Sequence, residues 1–100
     1  MKTREEYIAL ITSHAEELQN TFGIPSLRLF GSVARNQHHD GSDVDIYVEM
    51  PPMFFLIVRL KAYLEELLGC PVDIIRKHQH LNPFLLKEIE REGIEVIAER

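Results

Sequence analysis

The chain has 100 residues, 45% of them hydrophobic and 27% charged, with a formal net charge of −5 and a single cysteine, Cys70. That length predicts one domain over residues 1–100 with one core and little material for a second substrate-holding unit, and the composition is that of a soluble globular chain, not a disordered or membrane one. Lysines and arginines are scattered, which argues against an extended nucleic-acid surface. No apolar run is long enough to cross a membrane or make a signal peptide, and the lone cysteine allows no internal disulfide, so a cytoplasmic location is expected.

Thr3-Arg4-Glu5-Glu6 has capping-box spacing, and Tyr7, Leu10, Ile11, His14 and Leu18 follow at helical intervals. This predicts a helix over about residues 4 to 20, stopped by Gly23 and Pro25, with His14 a packed histidine on its apolar stripe. Ser26 to Phe30 reads as a strand ending at Gly31, and Ser32 reads as the N-cap of a short helix through Ala34 and Arg35. Unpaired N–H groups at such a turn favour an anion, Gly31 allows close approach and the Ser32 hydroxyl adds a donor. The turn is a candidate phosphate seat, with Arg35 either a phosphate ligand or an anchor of the helix.

Gln37 to Ser42 is a polar loop with a turn at Asp40-Gly41. His38 and His39, with His78 and His80 further on, raise the thought of zinc, but adjacent histidines lack the paired spacing of zinc motifs. Residues 43 to 48 alternate polar and apolar, so as a strand they place Asp43, Asp45 and Tyr47 on one face and Val44, Ile46 and Val48 on the other. Side chains two apart on a strand are roughly 6.5 to 7 Å apart, a span that can grip two divalent ions ~3.5 to 4 Å apart. Like charges held together in this way call for a cation between them.

Pro51-Pro52 opens a helix that runs to Leu68 and stops at Gly69, with Met53, Ile57, Leu60, Leu64 and Leu67 as its core stripe. Phe54, Phe55 and Val58 widen the apolar surface; they either cover the sheet and a neighbouring helix or form a patch for another chain. Pro71 to Arg76 is a third strand with Asp73 and Ile75 on one face. Beside residues 43 to 48, Asp73 would complete a carboxylate trio and act as general base; otherwise it is a salt-bridge partner. Asn82-Pro83 opens a helix to Glu92, and Ile94 to Ala98 is a last strand. The pattern is α/β (α+β): a mixed sheet of about four strands with helices mainly on one face. A phosphate seat beside a metal site is what nucleotide transfer from a magnesium-bound triphosphate needs.

Gly31-Ser32, ten intervening residues and Asp43-Val44-Asp45 match the signature of the DNA polymerase beta nucleotidyltransferase superfamily. Gly-Ser-x-Ala-Arg with Ser-Asp-x-Asp resembles its small stand-alone minimal nucleotidyltransferase (MNT) branch. The resemblance covers about residues 26 to 97, with Asp73 as the third acid. One departure is Asn36, where many relatives carry glycine; asparagine tolerates the left-handed conformation better than most residues. The resemblance implies a polymerase-beta-like fold in which Asp43, Asp45 and Asp73 hold two magnesium ions. Gly31, Ser32 and Arg35 would bind the phosphates of ATP, and Asp73 would also activate the acceptor. It further implies an antitoxin that moves AMP from ATP to a tyrosine hydroxyl of a HEPN-type toxin. The alternative is a binding module that silences its partner by occlusion, and modification of a small antibiotic is disfavoured by the lack of a second domain.

Overall fold

Strand and helix signals alternate along the chain, and the fold follows from how they cross. The structure, a computed structural model, describes residues 1–98; residues 99 and 100, the end of the span expected as one domain, lie outside the described residues. In order it contains α1 (Arg4–Ser13), α2 (Ala15–Phe22), β1 (Ser26–Phe30), α3 (Gly31–Ala34) and β2 (Val44–Glu49). These are followed by α4 (Phe54–Leu68), β3 (Val72–Arg76), α5 (Pro83–Glu92) and β4 (Ile94–Ile97). The strands form one sheet in the order β3-β2-β1-β4, with β1 antiparallel to both β2 and β4, and β2 parallel to β3. A parallel pair needs a crossover, and α4 supplies it.

Strand alternation splits the sheet into two faces. Leu27, Leu29, Val44, Ile46, Val48 and Val72 enter the main core with Tyr7, Ile11, Leu18 and Phe22 from α1 and α2 and Leu60, Leu64 and Leu68 from α4. The opposite face carries Phe30 and Tyr47, which pack under Ile89 of α5 in a smaller cluster. Helices therefore lie chiefly on one face, as expected, with α5 alone on the face that bears the acids. Among the described residues no helix is long and apolar enough to cross a membrane.

Two local expectations are corrected, and one open choice is narrowed. The first helix is two, broken at His14 (φ −110°, ψ 14°), where the backbone N–H donates to Ile11 O at 3.1 Å. The Ser13 hydroxyl donates to Leu10 O and His14 Nδ1 pairs with the same carbonyl at 2.9 Å, so local side chains take over the acceptor that helix continuation would use. His14 still packs, with its ring edge-on to Tyr63. In α4, Met53 is the N-cap and exposed while Leu68 is buried, because the helix begins at Phe54 and its inward stripe falls on Leu60, Leu64 and Leu68. Phe54 and Phe55 are 74% and 80% exposed, and Val58 is exposed beside them, so these side chains do not cover the sheet.

Candidate active site

Because β1 and β2 are antiparallel, the end of β1 lies beside the start of β2, with Phe30 opposite Asp45. The chain leaves β1 extended at Phe30 and turns through Gly31, at φ +71°, into α3. A β-carbon built on Gly31 would strike Asp45 Oδ2, with Asp45 Cγ 3.0 Å and Cβ 3.3 Å away. Glycine is needed here for the left-handed backbone and again for the carboxylate lying across it. The N-cap of α3 is Phe30, not Ser32: Ser32 is the second helical residue, and the first turn has no side-chain cap. The first N–H groups of a helix have no intrahelical acceptor, so this turn presents donors next to Asp45.

The far end of α3 is closed by hydrogen bonds from Asn36 N–H to Val33 O (3.0 Å) and Gln37 N–H to Ser32 O (2.8 Å). This is a left-handed helix cap, and Asn36 sits in it at φ +59°, doing what glycine would do. The cap sends Arg35 toward α5. Its Nη1 lies 3.2 Å from Glu92 Oε2 and 3.9 Å from Glu88 Oε1, and its Nε donates to Gln37 Oε1 at 3.1 Å. Of the two roles open to Arg35, these contacts are those of an anchor.

Asp45 and Asp73 are register partners on the parallel pair, so their side chains leave the same face one strand spacing apart, about 4.8 Å between backbones. Asp43 precedes β2 instead of lying within it. The ladder starts with Val44 N–H donating to Pro71 O at 3.0 Å, and β3 offers nothing earlier for Asp43 to pair with. Asp43 and Asp73 are exposed while Asp45 is half-buried. Burial lifts the Asp45 carboxyl above its ordinary 3.8, the charges of Asp73 and then Asp43 push the same way, and Arg35 opposes them. Acids in this relation favour a cation among them.

Among the described residues no three acid, imidazole or thiol groups converge closely enough to hold a metal unaided. Magnesium rarely uses such a cage; it takes one or two carboxylates and completes its shell with substrate phosphates and water. An all-oxygen set led by Asp45 and Asp73, with Asp43 at its edge and an uncapped turn alongside, fits that ion. The histidines do not gather for zinc. His38 Nε2 pairs with Lys2 O and His39 Nδ1 with Asp40 O, each at 2.9 Å, whereas His78 and His80 lie in the loop after β3.

Residues 13–100 match the family described as Polymerase beta, Nucleotidyltransferase, and the chain belongs to that family. It falls in the minimal nucleotidyltransferase branch, beside the protein adenylyltransferase MntA of Thermococcus cleftensis. The two are 37% identical over 98 residues, covering 96% of this chain and 98% of that one. A protein of Methanocaldococcus jannaschii provisionally assigned as a protein adenylyltransferase is 38% identical over 100 residues, covering 96% of this chain and all of that one. Among solved structures, a toxin-antitoxin complex with AMP-PNP shares the fold at TM-score 0.71 and 19% identity. That match covers 89% of this chain and 74% of the other.

Two features of the site were not expected. The carboxylates that engage Arg35 sit four residues apart on one face of α5, a spacing visible in the sequence, but only the return of α5 over the acid-bearing face brings them there. Phe30, opposite Asp45, helps bury it, and that pairing is set by the strand register.

Proposed function

We propose that residues 1–100 form a single minimal nucleotidyltransferase domain that moves AMP from ATP to a tyrosine hydroxyl of a HEPN-type toxin, acting as its antitoxin in the cytoplasm. The observation that carries this reading is the contact of Gly31 with Asp45, which sets an uncapped helical turn against a repelling acid cluster. Support for the partner comes from the fold neighbours, one of which is a tri-AMPylated Shewanella oneidensis HEPN toxin in complex with MNT antitoxin (TM-score 0.65, 18% identity).

In this reading Asp43, Asp45 and Asp73 hold magnesium, taken as two ions. When bound, the ions supply neutralisation of phosphate charge and alignment of the reacting oxygens. The N–H groups at Gly31 and Ser32 and the Ser32 hydroxyl bind the leaving phosphates. Asp73, exposed on the edge strand, accepts the proton of the acceptor hydroxyl. The hydroxyl oxygen then bonds to the α phosphorus as the bond to pyrophosphate breaks. Arg35 reaches phosphate only by leaving Glu92. An acidic domain of this size has little surface for an enclosed acceptor pocket, so the partner supplies the acceptor and much of its positioning.

The occlusion reading also has an observation behind it, the exposed Phe54, Phe55 and Val58 patch on α4. The two readings separate on a variant lacking both the Asp43 and Asp45 carboxylates. Catalysis predicts loss of magnesium-dependent AMP incorporation, and unchanged incorporation would sink the assignment of these acids.

A further inference from the structure

Helix α4 has two apolar faces, and the sheet covers one of them. Leu60, Leu64 and Leu68 are buried in the core, whereas Phe54, Phe55, Val58 and Ala62 are exposed. Each residue turns a helix by about 100°, so these four fall within an arc of about 100°, with Lys61 about 20° beyond Phe54 and Arg59 about 40° beyond Phe55. Both cations are exposed. The surface is thus an apolar ridge with a positive edge on either side. Residues 50–64 contain no aspartate or glutamate in a chain that has 16 acids, so the ridge is a positive island on an acidic protein. It ends at the last turn of the helix, where Glu65 accepts from Val72 N–H at 3.0 Å and Glu66 is exposed.

Shape and charge together define what covers this ridge. Phe54, Val58 and Ala62 form an i, i+4, i+8 row, the kind of row that seats in the groove between two side-chain rows of another helix. An exposed apolar patch with a polar rim marks an interaction site, and aromatic side chains at its centre serve as anchors. Positive edges act like the flanking positions of a coiled coil, pairing with acids across the seam and rejecting a partner with basic edges. A second copy of α4 would bring positive edges against positive edges. Two cations on opposite sides of an apolar ridge form no continuous track for phosphates, so a nucleic acid strand does not match either. We propose that the ridge docks an amphipathic helix of a partner protein whose apolar face is bordered on both sides by aspartate or glutamate. This rests on the reading in which the chain acts on a partner protein, and it names the face that the partner presents.

Two probes are titrated against the full chain, so that this surface and the identity of the partner are tested separately. One is a cognate HEPN-type protein. The other is a stapled helical peptide of about four turns, since free helices of that length are marginal, with leucines along one face and glutamates on both edges. Its twin carries lysine edges, and a third peptide has the same composition in scrambled order. The glutamate-edged peptide and the HEPN-type protein should bind saturably, with affinity that falls as salt is raised, and the lysine-edged twin should bind at least about tenfold more weakly. Arg59→Glu combined with Lys61→Glu changes two exposed side chains and should leave the fold intact. The double variant should bind the glutamate-edged peptide and the HEPN-type protein at least about tenfold more weakly and prefer the lysine-edged twin. Lys87→Glu on α5 is the control and should leave peptide binding unchanged. Binding of the peptide but not of the HEPN-type protein would keep the surface and sink the partner assignment. Binding of the HEPN-type protein with unchanged affinity in the double variant would do the reverse, overturning the proposal while the partner reading stands. Equal binding of all three peptides, or failure of both probes to bind, would also overturn it. A dimer of the chain alone that Phe54→Asp dissolves would overturn it too, by giving the ridge to a second copy.

Discussion

Arg35, the C-cap of the helical turn that begins at Gly31, is held by Glu92 of α5 at 3.2 Å, so in the proposed reading a candidate triphosphate ligand is already engaged by a carboxylate. The pair is partly open to solvent, at 37% and 25% side-chain exposure, and such pairs are weak and exchangeable. The lowered pKa of Glu92, due first to Arg35 and then Arg91, keeps it charged and competitive at neutral pH. Glu92→Gln should therefore lower KM for ATP by up to about fivefold with kcat little changed. Steady-state kinetics at varied ATP checks this, and a raised KM would mean that Glu92 holds Arg35 in its working position.

Gly31→Ala should damage both stability and chemistry. A left-handed alanine costs about 1–2 kcal/mol, or roughly 5 to 10 °C in Tm for a domain of this size. The collision with Asp45 must also displace a carboxylate at the centre of the site, and a shift of about 1 Å there costs on the order of a hundredfold in rate. Gly41→Ala is the control: it too sits at positive φ, +92°, but a β-carbon there meets nothing within 4 Å. It should lose stability and keep its activity.

Asp45→Asn should abolish transfer and raise Tm at neutral pH. The sign follows from its raised pKa. The folded carboxyl holds its proton to higher pH than the unfolded one, so its stability contribution is full below 3.8 and declines as pH rises through the folded value. The variant escapes that decline. Thermal melts should show the largest gain at neutral pH, convergence with wild type at acid pH, and a smaller gap when magnesium is added. A lower Tm for the variant at every pH would refute the repulsion argument.

The exposed aromatic patch predicts where the partner docks. Phe55→Asp changes an 80% exposed side chain, so stability should shift by no more than about 0.5 kcal/mol. Loss of an aromatic anchor should weaken the partner complex by at least about thirtyfold. Nucleotide binding should persist, because α4 starts where β2 ends, at least about 13 Å along the strand from Asp45. Binding assays for partner and ATP on the same variant test both halves.

Strand alternation was enough to put Asp73 on the acid-bearing face if β3 lies beside β2; the neighbourhood and the register that pairs it with Asp45 come from the structure. Gly31 was legible as a turn residue but not as the seat of Asp45, a contact that depends on the antiparallel return of β2. Asn36 was read correctly as a left-handed residue because its side chain tolerates that conformation. The break at His14 was hidden by an apolar stripe that runs through it. The grip of α5 on Arg35 was hidden because it joins elements more than fifty residues apart.

The most direct measurement of the central claim is intact-mass spectrometry of a cognate HEPN-type protein mixed with this chain, ATP and magnesium. The account predicts added AMP on a tyrosine of the partner, little transfer by the chain alone, and no added mass with Asp43→Asn. Inhibition of the partner without added nucleotide mass, equally strong with Asp43→Asn, would contradict it and favour occlusion.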